Sequence, residues 1–321
     1  MLDSRPPVLF LMGPTASGKT ALAVELVQRL PLQIVSVDSA LVYRGMTIGT
    51  AKPDARTLQI APHRLIDFLD PCQAYSAGQF RHDALREIAA IQAMGRIPLL
   101  VGGTLLYFRA LERGLAELPT ADPALRARLA AECAEYGSLA LHARLAQLDP
   151  VAAARIHPHD WQRIQRALEV GELAGRSLTE LCNLSPNETL PFRIVKLIVA
   201  PMDRQILHQR IAQRFRVMLD QGLIAEVAAL RARDDLHPDL PAMRAVGYRQ
   251  VWAYLDGKVD EATMVERAII ATRQFAKRQL TWLRAESGGF WLNSLEDRLL
   301  ERAMAGLDEH RFFPKTPRRL C

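Results

Sequence analysis

The chain has 321 residues, 49% of them apolar and 24% charged, with four cysteines and a formal charge of +6. These values exclude disordered, collagenous and disulfide-stapled classes and leave room for one sizeable core plus a second unit. No apolar run approaches the roughly 20 residues that cross a bilayer, and residues 1–7 lack a basic start and a cleavage pattern, so a cytoplasmic protein without a membrane partner is expected.

The cysteines, Cys72, Cys133, Cys182 and Cys321, show no CxxC or Cys/His ligand spacing and read as reduced thiols. The basic excess is C-terminal: residues 192–321 hold 22 Lys+Arg against 16 Asp+Glu, while residues 1–191 hold 19 against 19. A basic half beside a neutral half points to a polyanionic partner, although a solvated arginine-rich surface has the same composition.

In chain order, the apolar residues 8–12 predict a buried strand and residues 21–30 a helix. Between them Gly13-Pro14-Thr15-Ala16-Ser17-Gly18-Lys19-Thr20 fits the P-loop pattern GxxxxGK[ST] at every fixed position. Such a loop turns backbone N–H groups and a helix N-terminus toward anionic oxygens, adds the point charge of Lys19, and offers the Thr20 hydroxyl to a magnesium ion. Gly13, Thr15, Ala16, Ser17, Gly18, Lys19 and Thr20 are therefore expected to bind phosphate. Whether that phosphate is transferred, hydrolysed or expelled stays open at this point.

After Pro31, residues 33–38 predict a short strand that ends in Asp38, beyond the carboxyl edge of a parallel sheet where ligands bind. The carboxylate there suits a magnesium ligand, a general base or a helix cap. Residues 39–53 form a glycine-bearing loop too irregular for a helix and too long for a tight turn. A strand over residues 63–67, a helix over 77–94 and a core strand over 97–101 complete an α/β alternation, that of a P-loop NTPase-like parallel sheet core. The last strand leads into Gly102-Gly103-Thr104, where many P-loop NTPases carry an acidic pair that directs water. Without one an ATPase is less favoured. Thr104 offers a hydroxyl and an N–H to a second phosphate oxygen, or caps a helix over residues 105–111.

Residues 117–191 change to alanine-rich helical patterns, at 123–135, 138–147 and 161–173, and read as a helical insertion domain. The core then comprises residues 1–116 and 192–321 and resumes with a strand over 192–200. The insertion carries 7 basic against 10 acidic residues, so any RNA contact there must be local, through Arg163 and Arg166. His157-Pro158-His159-Asp160 reads as a polar turn capping the third helix rather than a metal site. The C-terminal region is expected to be helical. Over residues 265–284 Val265, Ile269, Ala276, Leu280 and Leu283 share one side, and Arg267, Arg273, Gln274, Lys277, Arg278, Thr281 and Arg284 share the other. Five cations with no acid among them suit a nucleic-acid backbone. Arg244-Ala245-Val246-Gly247-Tyr248-Arg249 offers backbone and stacking contacts, and residues 311–321 read as a frayed basic tail.

These blocks together resemble the tRNA dimethylallyltransferase (tRNA isopentenyltransferase) family over nearly the whole chain. The carriers are the P-loop, Asp38-Ser39 through Lys52-Pro53, Val101-Gly102-Gly103-Thr104, Gln162-Arg163-Ile164-Gln165-Arg166-Ala167, Ala245 to Arg249, Thr272-Arg273-Gln274 and Lys277-Arg278-Gln279. Leu41 and Thr47 depart from the residues common in the family.

The resemblance implies transfer of a five-carbon allyl group from dimethylallyl diphosphate to the exocyclic amine of the adenosine 3′ of the anticodon. It implies Asp38, Thr104 and Lys19 as catalytic residues and Arg214 as a further diphosphate ligand, with Mg²⁺ on Thr20. It implies tRNA contacts from Asp38, Ser39, Ala40, Leu41, Gln162, Arg163, Ile164, Gln165 and Arg166, from Arg244, Ala245, Val246, Gly247, Tyr248 and Arg249, and from Lys277, Arg278, Gln279, Thr281, Trp282 and Arg284. The insertion would brace the anticodon stem, and the protein is expected to act as a monomer. Two other classes remain: a small-molecule P-loop kinase and a nucleic-acid-binding ATPase.

Overall fold

The computed structural model describes residues 3–184, 189–309 and 312; the expected basic tail lies outside the described residues apart from Phe312. The chain divides into two compact units, one of residues 1–112 with 190–321 and one of residues 113–189.

In the first unit β1 (Pro7–Met12), α1 (Lys19–Arg29), β2 (Leu32–Val37), α2 (Ala55–Ile60), β3 (His63–Arg64), α3 (Ala77–Ala93), β4 (Ile97–Gly102) and α4 (Leu105–Arg113) precede the second unit. The second unit holds α5 (Pro123–Leu148), α6 (Pro150–Arg155), α7 (Trp161–Ala174) and α8 (Leu178–Leu184). The first unit resumes with β5 (Arg193–Ala200), α9 (Arg204–Asp220), α10 (Leu223–Arg231), α11 (Tyr248–Leu255), α12 (Glu261–Arg284), β6 (Gly289–Asn293) and α13 (Leu299–Glu309).

The six strands form one sheet in the order β3-β2-β4-β1-β5-β6, with every pairing parallel. Both faces are covered, as the unbroken apolar strands require. Leu9, Leu11, Ile34, Leu99 and Leu197 pack with Leu22 and Leu26 of α1 and with α13, while Val8, Phe10, Val35, Val37 and Leu100 pack with α3 and α4. A third core, built from α9 to α12, includes Tyr43 and Met46 of the long loop. Register then places the site. Met12 and Val37 both stand opposite Gly102, so the residues that follow, Gly13, Asp38 and Gly103, leave the sheet together at one edge.

The helices expected at 123–135 and 138–147 both lie within α5, parted by Gly137, whose φ 81 and ψ 161 are not helical. Two expectations change. The strand over 63–67 stops at Arg64 because Leu65 and Asp67 turn to φ 59 and 54. The C-terminal region is not wholly helical, since β6 extends the sheet beyond β5. In the second unit Leu129, Leu141, Leu145, Ile164 and Leu168 form a separate core, and Asp160 caps α7 by accepting from the Arg163 N–H.

Candidate active site

The P-loop takes its shape from a few positions. Gly18 opens α1 at φ 92, a left-handed conformation that only glycine adopts without strain. A Cβ on Gly13 would sit 2.2 Å from the Val199 carbonyl oxygen. Lys19 Nζ donates to the Pro14 carbonyl at 2.6 Å and to Ser17 Oγ at 3.5 Å. Burial, and then the nearby Arg214 charge, pull the Lys19 pKa down to about 7, with Asp38 opposing. Ser17, Gly18, Lys19, Thr20 and Gly103 line a chamber of about 250 Å³.

Asp38 sits where this chamber meets a second. Its Oδ1 accepts the N–H groups of Ala40 at 2.8 Å and Leu41 at 3.2 Å, which fixes the turn as a helix cap would, but no helix follows. Among the described residues the second carboxylate oxygen has no partner. Thr104 Oγ1 accepts the Ser39 N–H at 3.2 Å, and the Thr104 N–H donates to the Val37 carbonyl. Thr104 is thus neither the expected cap nor a source of a free N–H, and only its hydroxyl remains for a ligand. Arg214, on α9, lines both chambers; burial lowers its pKa and Asp38 draws it back up.

The second chamber encloses about 400 Å³ and is lined by Asp38, Thr104 and Arg214 together with the apolar Ile211, Phe215, Met218, Ala245 and Phe275. Ser39, Ala40, Arg244, Val246, Gly247 and Tyr248 complete its wall, whereas Leu41 lines the P-loop chamber. Arg249 points elsewhere, into a recess between α11 and α12.

Tyr248 requires a correction. It is fully buried and donates its hydroxyl to Glu226 Oε1 at 2.5 Å, so it offers no ring for exposed base stacking. Glu226 went unnoticed in the sequence. Its carboxylate also accepts the N–H groups of Thr47, Ile48 and Gly49 at 2.9, 2.8 and 3.1 Å, pinning the loop that walls the chamber. Lys52 pins the same loop by donating to the Tyr43 carbonyl at 2.7 Å and to Asp67.

Gln279 requires a second correction. It is buried, accepts the Thr15 N–H at 2.9 Å and donates to the Gly103 carbonyl at 2.8 Å, so it braces the P-loop rather than facing a nucleic acid. Lys277, Arg278, Thr281 and Arg284 are exposed on α12, while Trp282 is half-buried beneath the Arg109 guanidinium at 5.5 Å. In the second unit Gln162 and Arg163 are exposed, and Gln165 donates to the Arg126 carbonyl. Arg166 is spent on the buried Glu169 and the Pro119 carbonyl. Ile164 is fully buried in that unit's core, which removes it from any surface contact.

The oxygens around the P-loop chamber suit magnesium. Thr20 and Ser36 both line that chamber, and among the described residues the buried Ser36 hydroxyl has no partner. Magnesium keeps several waters and takes few protein ligands, so such a sparse neutral set fits it once phosphate oxygens are present.

The IPP transferase family pattern matches residues 41–286 of the chain. A tRNA dimethylallyltransferase of Alkalilimnicola ehrlichii is 64% identical over 305 residues, 95% of this chain and 94% of that protein. The crystal structure of a full-length tRNA isopentenylpyrophosphate transferase of Bacillus halodurans is similar at a TM-score of 0.70 and 35% identity, covering 96% of this chain and 97% of its own. A eukaryotic dimethylallyltransferase shares the fold at a TM-score of 0.78 and 23% identity over 98% of this chain and 82% of its own.

Proposed function

The chain belongs to the IPP transferase family, and from that premise we propose that it moves a dimethylallyl group from dimethylallyl diphosphate to the exocyclic amine of the adenosine 3′ of the tRNA anticodon. The observation that carries this reading is the pair of chambers meeting at Asp38 and Arg214. One is a phosphate cradle, and the other is walled by Ile211, Phe215, Met218 and Phe275. An allylic diphosphate has this polarity, a doubly anionic head and a small apolar tail.

The chemistry follows from the residues. As the amine nitrogen bonds to the allylic carbon, the C–O bond breaks and its electron pair leaves on the diphosphate. P-loop amides, Lys19, the Thr104 hydroxyl and Arg214 stabilise that charge. An arylamine becomes acidic only as it gains positive charge, so the unpaired Asp38 oxygen suffices as the base that takes its proton. Magnesium held by Thr20 would neutralise part of the leaving-group charge. The adenosine must leave the stack to reach Asp38, and the wall of Arg244, Ala245 and Val246 is suited to receive it. The exposed cations of α12 supply phosphate contacts, the second unit would contact the anticodon stem, and a cytoplasmic monomer is the working form.

The kinase reading is weaker, because β4 ends in Gly102-Gly103 rather than an acid and the basic face of α12 has no use there. Incubating the purified protein with dimethylallyl diphosphate labelled in the allyl carbons and with tRNA tests the proposal. Label entering tRNA without ATP is expected. Phosphorylation of a small acceptor that depends on ATP, with no label in tRNA, would replace this reading with the kinase.

A further inference from the structure

On α9 the residues that face the chambers recur at helical spacing. Ile211, Arg214, Phe215 and Met218 all line the second chamber, and of these four Arg214 alone also lines the P-loop chamber. Arg214 therefore marks the diphosphate end of the stripe. Met218 stands four residues further on, on the same face and about 6 Å along the helix axis. That span admits the four-carbon chain of a dimethylallyl group with its branching methyl, and little more.

The wall around Met218 cannot recede. Met218 shares an apolar core with Leu223 and Tyr248, both fully buried, and Gly49 and Tyr248 line the chamber with it. Packing at Gly49 leaves no slack, since a Cβ there would sit 2.5 Å from the Tyr248 ring and 2.9 Å from Leu223 Cδ1. The Tyr248 ring is held further by the bond from its hydroxyl to Glu226. Met218 itself is unbranched, and a long side chain on a helix leans toward the helix N-terminus, here toward the turn that carries Arg214.

We propose that Met218 sets the length of the allylic chain that is transferred, closing the chamber one five-carbon unit beyond the diphosphate. The proposal rests on the transferase reading above and assigns its donor specificity to one side chain. A longer donor undergoes the same bond changes: the amine nitrogen bonds to the allylic carbon as the C–O bond breaks, the diphosphate leaves with the electron pair, and Asp38 takes the amine proton. Only the fit of the chain end differs, and extra methylenes pressed against a packed wall are unfavourable.

A chain-length profile tests it. The protein is given tRNA and allylic diphosphates whose chain end is lengthened by one, two, three or five carbons. Each kcat/KM is divided by that for dimethylallyl diphosphate on the same preparation, so the folded fraction cancels. Wild type should lose about tenfold by the second added carbon. Met218→Ala removes three heavy atoms, so its limit should move out by about three carbons. Up to that limit each added carbon should raise the relative kcat/KM about fourfold, the gain from burying one methylene. A Met218→Ala profile that overlays wild type, or a wild type that uses the ten-carbon donor as well as the five-carbon one, would overturn the assignment. Should Met218→Ala fail to fold, Met218→Val keeps most of the volume and shortens the side chain by two atoms. A limit moved by about two carbons then supports the assignment, and an unmoved limit overturns it. A wild-type protein that transfers no dimethylallyl group to tRNA would instead remove the transferase reading, and the role of Met218 with it.

Discussion

The Tyr248 hydroxyl donates to Glu226 at 2.5 Å, and the same carboxylate accepts three consecutive backbone N–H groups from residues 47–49. One side chain of α10 thus ties the start of α11 to a loop nearly 180 residues away, and that loop supplies Gly49 and Thr50 to the wall of the reaction chamber. We predict that Glu226→Gln, which turns an amide N–H₂ toward those donors, destabilises the protein by about 2 kcal/mol. Tyr248→Phe should cost about 1 kcal/mol, because the carboxylate keeps its backbone donors. Urea unfolding of both variants measures this. Equal stability of Glu226→Gln and wild type would mean that the loop is held by other contacts.

Burial, with Arg214 beside it, brings the Lys19 pKa from 10.5 down to about 7. A bound diphosphate favours the ammonium form and raises that value again. We therefore predict that binding above pH 7 takes up a proton, and that diphosphate affinity falls by up to tenfold for each pH unit above 7 until the bound-state pKa is reached. Below pH 7 the ammonium is already formed and this dependence vanishes. By the same linkage the free protein gains stability as pH rises from about 7 toward 10.5, where the unfolded chain holds the proton and the folded chain does not. Calorimetry at pH 8 in buffers of differing ionisation enthalpy detects the uptake, and Lys19→Met should abolish it. Proton uptake that survives in Lys19→Met assigns it to another group.

Gln279 and its neighbours on α12 separate two roles that the sequence merges. Gln279→Leu removes the brace between Thr15 and Gly103 and should raise the KM for dimethylallyl diphosphate about tenfold, while the salt dependence of tRNA binding stays as in wild type. If the tRNA salt slope flattened instead, Gln279 would belong with the nucleic-acid contacts after all.

Replacing Lys277, Arg278 and Arg284 together should do the reverse. The plot of log affinity for tRNA against log salt should flatten by roughly 2 to 3, one phosphate contact per cation, with the KM for the diphosphate substrate unmoved. An unchanged slope would make this face a solvated one.

What the sequence conveyed follows from how local each constraint is. The P-loop was legible because its backbone demands are met by adjacent residues: Gly18 at positive φ, Gly13 against the Val199 carbonyl, and Lys19 folding back on Pro14. The parallel sheet was legible because strands covered on both faces read as apolar runs. Glu226 was invisible, since an acid on a helix reads as a solvated residue and its partners are backbone N–H groups far away in the chain. Tyr248 misled for the matching reason, its flanking arginines suggesting a nucleic-acid surface while the ring packs against Gly49 in the interior. Gln279 shared a motif with two exposed cations, yet at about 100° per residue it turns to the opposite side of α12. The edge strand Gly289–Asn293 is short and half-exposed, so it lacks the run of buried residues that marked the others.

Asp38 carries the account, because the amine proton must go to a group that the substrate can reach. Asp38→Asn keeps an oxygen for the Ala40 and Leu41 N–H groups and should fold normally. Single-turnover transfer of the dimethylallyl group to tRNA, followed across a magnesium titration, isolates its chemistry. We predict a rate reduced by about 10²–10⁴-fold that no magnesium concentration restores, with diphosphate binding near that of wild type. Recovery of the rate at high magnesium would make Asp38 a metal ligand, and an unreduced rate would make it a turn-forming residue; either result contradicts the account.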